Sequence, residues 1–415
     1  KKIALQYPDN EKNIYIEAAK QLRHPYWDWT DDKALIEGKN PNDKPNYTPP
    51  VLESNPFTPA GYPTIRHPNA NYEDQNNLLN GNVTTYVTTV FRPGWYQVFQ
   101  FGDFLRFSHH GIRPDGSQMP NYFGSHPPPT IVDGFKHYAS LEAIHDAFHV
   151  AIGGPGGHMA YVDLASYDPI FNFHHVFLDR NFALWQEVFP DSWVPQTNIL
   201  NGSYTQLINE VVDDYTDLTP FRKTKTEFWK SYDVRDVEKL GHTYLELEKF
   251  KGQDPKKLQA YLLELYKPDP LYGERFFVKV ILKSNKLIGP YSVRVFLDYD
   301  ADAQTPLTSP NFAGIVAMWS GHKSHSPFVV GTVDITAAME RLGIRMQTHD
   351  VFNDVNTTTG LLSPHAIFDV ERDIHIVTVR LNGEGVSPKE AGVVKIEVYS
   401  FRHDKIDPNF LAKDT

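Results

Sequence analysis

The spacing of apolar and polar positions changes once along the chain, near residue 270. Before that point the pattern is helical. Ile14, Ile16, Ala18, Ala19 and Leu22 recur at helix spacing, and the run stops ahead of Pro25. A helical stretch is predicted over 82–110, broken at Pro93-Gly94. Two further helices are predicted over 140–152 and 169–188, ended by Gly153-Gly154 and by Pro190. Residues 31–75, rich in Pro, Asn and Asp, and residues 111–135 read as loop. The span 221–266 alternates polar loop with helix, the last helix over 256–266. Beyond Lys267-Pro268-Asp269-Pro270 the runs become short and rich in Val, Ile, Phe and Tyr: 276–282, 291–297, 374–381 and 393–401 read as strands. The predicted architecture is a mainly helical domain over 1–270 followed by an all-β, sandwich-like domain over 271–415.

Composition narrows the chemistry. The 415 residues carry 40 Lys and Arg against 51 Asp and Glu, a net charge of −11. That balance disfavours nucleic acid or an anionic membrane surface as partner. No stretch approaches the roughly 18 consecutive apolar residues of a membrane span. There is no cysteine, which excludes disulfides, thiolate catalysis, iron–sulfur clusters and Cys-type zinc sites. A metal would have to be held by His, Asp or Glu. With 18 His and 13% aromatic residues, an imidazole site is the first place to look. The lack of disulfides and of a signal segment leans towards a cytoplasmic protein, with secretion as the alternative.

The sharpest local signal is Ser140-Leu141-Glu142-Ala143-Ile144-His145-Asp146-Ala147-Phe148-His149. His145 and His149, at i and i+4 of one helix, share a face and can reach one ion, or they can be two incidental histidines. A zinc-peptidase reading needs Glu after the first His, and the shorter Asp146 fits it poorly. The second signal is Asp168-Pro169-Ile170-Phe171-Asn172-Phe173-His174-His175, continuing to Asp179-Arg180. Adjacent helical residues point about 100° apart, so one of the pair is expected to join His145 and His149. Three imidazoles suit copper or zinc and leave a position for an exogenous ligand.

Five segments occur in a telling order: Pro25-Tyr26-Trp27-Asp28-Trp29, Arg106-Phe107-Ser108-His109-His110-Gly111, the 140–149 run, Gly157-His158-Met159 and the 168–180 run. Together they resemble the type-3 copper proteins, most closely the fungal tyrosinases (polyphenol oxidases, catechol oxidases), over about residues 1–250. The β region resembles the shielding domain of latent tyrosinases and of molluscan haemocyanin units. The resemblance implies a helical-bundle core around two coppers, each bound by three His. Carried over, the second copper (CuB) takes His145, His149 and His175, with His174, Asp179 and Arg180 as supporting groups around them. It implies that Glu142 holds a water and that Asp146 orients it as a base, although Glu142 as a mere helix-capping or solvated residue stays open. Val162 falls at the family's gate position, and Val150 places no charge at the entrance. Phe312, with Phe328 second, is the candidate aromatic plug from the β domain.

In the family the first copper (CuA) takes its three His from before the Tyr-Trp-Asp-Trp motif, where this chain has only His24. The expectation is therefore that CuA ligands lie upstream, on a companion N-terminal polypeptide. The implied function is copper-dependent oxidation of small phenols and o-diphenols to o-quinones with O2, held latent by the β domain. The alternative is a haemocyanin-like reversible O2 carrier.

Overall fold

The computed structural model describes residues 2–30, 86–108, 111–112, 139–154, 157–199, 205–207, 209–268, 273–283, 286–319, 328–344 and 374–403. Helix α1 (Asp9–Gln21) ends where Leu22 turns extended ahead of Pro25, and none of its residues is buried. Trp27 and Trp29, just beyond, are buried. A π-helical turn over Val87–Phe91 runs directly into α2 (Arg92–Val98). The break predicted at Pro93-Gly94 is absent. Pro93 lies in the first turn of α2, at its join with the π-helical turn. Gly94 sits where a Cβ would come within 2.8 Å of Ile144, so α2 can lie close to the next long helix. The interruption falls after Phe99, before α3 (Phe104–Ser108).

Helix α4 (Leu141–Gly153) starts at Ser140, whose hydroxyl accepts from the Ala143 amide at 3.1 Å. Helix α5 (Ile170–Val188) starts after Asp168, whose carboxylate accepts from the Ile170 amide at 2.9 Å. The two meet across an aromatic core: Trp29 stacks on Phe148 at 4.8 Å between centroids, and Phe107 stacks on Trp185 at 4.1 Å. Two small hairpins follow, β2 (Thr197–Asn198) with β3 (Val211–Val212), and β4 (Asp217–Arg222) with β5 (Phe228–Lys230). The second falls where loop and helix were predicted. None of its strand residues is buried, so no apolar alternation marks them. Helices α6 (Ser231–Val234), α7 (Leu245–Phe250) and α8 (Pro255–Leu265) complete the helical half.

The β half is two four-stranded antiparallel sheets. One holds β6 (Gly273–Lys283), β9 (Phe328–Asp334) and β12 (Val393–His403). The other holds β7 (Tyr291–Leu297), β8 (Phe312–Met318), β10 (Ile374–Arg380) and β11 (Gly385–Val386). The short helix α9 (Thr336–Leu342) follows β9. Alternation along β7 shows the layering. Val293, Val295 and Leu297 pack into the sandwich with Val278, Val280 and Ile376. Phe296 points the other way, into the aromatic core of the helical half, with Phe312, Ile315, Ala317, Val377 and Val379. The β7–β8–β10 sheet is thus covered on both sides.

That double cover explains β8, a strand the sequence did not announce. All seven of its residues are buried, so its apolar run does not alternate. A second departure is β1 (Gly111–Ile112), placed by sequence in a loop. It pairs antiparallel with β9, Gly111 opposite Val329 and Ile112 opposite Phe328, and so adds a strand from the helical half to the edge of the sandwich.

Candidate metal centre

Helices α4 and α5 bring four imidazoles together. One ring nitrogen from each of His145, His149, His174 and His175 lies within 4.8 Å of the others. Ring centroids are 4.5 Å apart for His145–His149, 5.2 Å for His145–His175 and 5.5 Å for His149–His175. Both members of the adjacent pair lie in the cluster, His175 beside His145 and His149 and His174 next to them. His174 is stacked at 4.2 Å on Phe148.

Three of the rings are tied back through Nδ1. His149 Nδ1 donates to the Met159 carbonyl at 2.7 Å, and His175 Nδ1 to the Phe171 carbonyl at 2.7 Å. A carbonyl only accepts, so these Nδ1 atoms carry the hydrogen, and Nε2 of the neutral ring keeps its lone pair free to ligate a metal. His145 Nδ1 bonds Asp146 Oδ1 at 2.9 Å. This is the outer support that metal-binding imidazoles require. His149 Nε2 and both nitrogens of His174 are buried with no hydrogen-bond partner. A dry, unpaired imidazole nitrogen costs about 1–3 kcal/mol, and an ion is the partner such a cluster lacks. An all-imidazole donor set suits copper, so these residues fit that metal.

Burial keeps the rings neutral. It pushes His145 down to about 4 against the opposing pull of the Glu142 charge, and it pushes His175 down to about 4 despite its bond to Phe171. His149 and His174 lie well below the usual histidine range, through burial first and then through mutual repulsion among the rings. Neutral imidazoles are the ligating form at physiological pH.

The remaining predicted residues spread more widely. Glu142 lies one turn before His145 and is near enough for its charge to act on that ring. Asp146 is buried, with Oδ1 on His145 and Oδ2 accepting from the Trp319 amide at 3.4 Å. Asp179 and Arg180 do not turn towards the imidazoles. Asp179 accepts from the Tyr244 hydroxyl at 2.7 Å, and Arg180 pairs with Glu246 and bonds Asn181 and Tyr266. They tie α5 to α7 and α8. Val162 is exposed, on the turn after Ala160, whereas Val150 packs into the aromatic core and presents no surface at an entrance. Phe312 stacks on Tyr86 at 6.1 Å, and Phe328 packs beside Ile281 and Val330 in the other sheet. Neither reaches the cluster.

The β-half aromatic that meets the imidazoles is Trp319, one residue past β8. Its ring stacks on His149 at 3.7 Å with 14° between planes and stands edge-on to His145 at 5.1 Å. Its Nε1 donates to the Ala160 carbonyl at 2.9 Å. Sequence reasoning missed it, though one cue existed: it is the sole Trp after residue 270.

Two helices carrying a buried cluster of four imidazoles, with Trp319 of the β half against them, form a candidate histidine-only metal centre. Residues 6–188 match the family model described as the common central domain of tyrosinase. The polyphenol oxidase 2 of Agaricus bisporus is 27% identical over 297 residues, 66% of this chain and 49% of that one. The chain therefore spans about half the length of the curated relatives it matches. A solved structure of a recombinant mushroom tyrosinase superposes with a TM-score of 0.60 at 23% identity, covering 82% of this chain and 67% of that one. It shares the fold. A more distant relative, hemocyanin 2 of Megathura crenulata, is 25% identical over 241 residues, 58% of this chain and 6% of that one.

Proposed function

We propose that this chain carries the CuB half of a type-3 copper centre, and that the protein with a complete centre oxidises phenols and o-diphenols to o-quinones with O2. The observation that carries the reading is the cluster of four neutral imidazoles on α4 and α5, within the stretch that matches the tyrosinase central-domain model. Copper supplies the redox chemistry and the affinity for O2. The chain supplies the rest. His145, His149 and His175 present Nε2, with Met159, Phe171 and Asp146 fixing the rings. Glu142 holds a water beside His145 and receives the phenolic proton. Asp146 orients His145, since its two oxygens already serve that ring and Trp319. Val162 borders the approach, and Trp319 covers it, which makes the closed form latent. Asp179 and Arg180 act at one remove, by fixing α5.

A second copper needs further imidazoles. Among the described residues no second group of three metal donors occurs, so this reading assigns them to other segments or to a companion polypeptide. The test is copper per chain, with denaturing mass spectrometry on the same sample, followed by catechol oxidation before and after protease or detergent. Two coppers and quinone formation that rises on opening are expected. A purified protein that takes up no copper sinks the reading.

Reversible O2 carriage is the second reading. It is favoured by Trp319 lying face-on against His149, where a phenol would have to enter, and by the haemocyanin relative. Oxygen uptake that reverses under vacuum, with no quinone after the site is opened, would select it.

A further inference from the structure

We propose that the β-sandwich orients the metal ligands as well as covering them. Trp319 and Asp146 form a latch that makes metal binding and closure of the sandwich one coupled equilibrium. This rests on the reading that the imidazole cluster binds metal.

The latch is built from shared partners. The short 3-10 turn His158–Ala160 offers two neighbouring carbonyls. That of Met159 holds the His149 ring at 2.7 Å, and that of Ala160 holds the Trp319 indole at 2.9 Å. Asp146 does the same for the other ring of α4: Oδ1 is on His145 at 2.9 Å and Oδ2 on the Trp319 amide at 3.4 Å. His145 therefore shares its orienting carboxylate with Trp319, and His149 and Trp319 bond neighbouring carbonyls of one turn. The turn cannot shift independently of the helix. Gly153, in the last turn of α4, sits where a Cβ would fall 2.3 Å from the Ala160 nitrogen, so the backbones touch. Trp319 in turn follows β8, whose residues are all buried between the helices and the second sheet. A buried strand, two adjacent carbonyls of one turn and a shared carboxylate connect sandwich to ligands. If closure improves ligand orientation, linkage requires that bound metal favours closure by the same factor.

The experiment uses the full chain and copper(I) alone. It reads the rate of copper release to a colorimetric chelator, and hydrogen exchange of the 312–319 amides with and without copper. Copper is expected to slow exchange there about tenfold or more. Trp319→Phe keeps a ring against His149 but loses the bond to Ala160. Asp146→Asn can keep its bond to His145 while opposing an N–H to the Trp319 amide. Each should release copper about 10–100-fold faster, the range found when supporting groups of metal ligands are removed, and each should lose the copper-dependent protection of β8. Exchange in α5 and the far-ultraviolet spectrum confirm that the variants fold. Exchange at 312–319 indifferent to copper in the unaltered chain overturns the proposal. So does wild-type copper release in both variants, which would make Trp319 a cover and nothing more. A chain that binds no copper overturns the metal centre as well. Coupling with no quinone product overturns the oxidase reading alone.

Discussion

His174 has no hydrogen-bond partner on either ring nitrogen and is fully buried against Phe148. In the metal-free protein that is a cost. Replacing it by Phe keeps the flat ring and removes two unsatisfied atoms, so metal-free His174→Phe is expected to melt no lower than the unaltered chain. His149→Ala, which removes a donor and opens a cavity beside Trp319, should abolish copper binding and cost about 2–4 kcal/mol in urea unfolding. Protons act on the same residues. His145 and His175 titrate near 4 when folded, below the 6.5 of the unfolded chain. The unfolded state takes its protons first. Metal-free stability should therefore hold above about pH 6.5 and fall between there and pH 4, by up to about 3 kcal/mol for each of these two rings. Urea midpoints at pH 7 and pH 5 test this, and replacing either His by Leu should flatten the difference.

Between elements, a buried polar tie joins α5 to α7 and α8. The Arg180 side chain is 2% exposed and its Glu246 partner 12%, and Tyr266 and Asn181 complete the set. Glu246→Ala would strand a buried guanidinium and should cost about 3–5 kcal/mol, read as an earlier urea midpoint. Glu246→Gln, which still accepts a bond, should cost less. The histidine helices were legible in the sequence because their signals are local: an i,i+4 pair and closing Gly and Pro residues. Arg180 stood out as well, but its partner lies 66 residues away in sequence, and spacing says nothing of that. The polar hairpin β4–β5 and the wholly buried β8 failed for opposite reasons. Neither alternates, one because both faces see water and the other because neither does.

For the whole molecule, the sandwich and the helical bundle share one aromatic core. Trp319 is where that union reaches the candidate site, a contact across more than 150 residues that no local pattern announces. Trp319→Ala removes the ring over His149 and should raise quinone formation without protease, toward the level that protease treatment gives the unaltered protein. Unchanged low activity in a variant that retains copper would mean that something else bars the phenol. The two-residue strand β1 has a different consequence. It pairs Phe328 and Val329, at one end of the outer edge of β9, with chain from the helical half. A polypeptide comprising 271–415 alone would begin life with the β9 backbone, Phe328–Asp334, unpaired along one side and apolar in sequence. Such an edge is a template for further strands, so the separated sandwich should self-associate in sedimentation. A single cut between Tyr266 and Gly273 in the intact protein should instead leave one particle, because the two halves are stitched as well as joined.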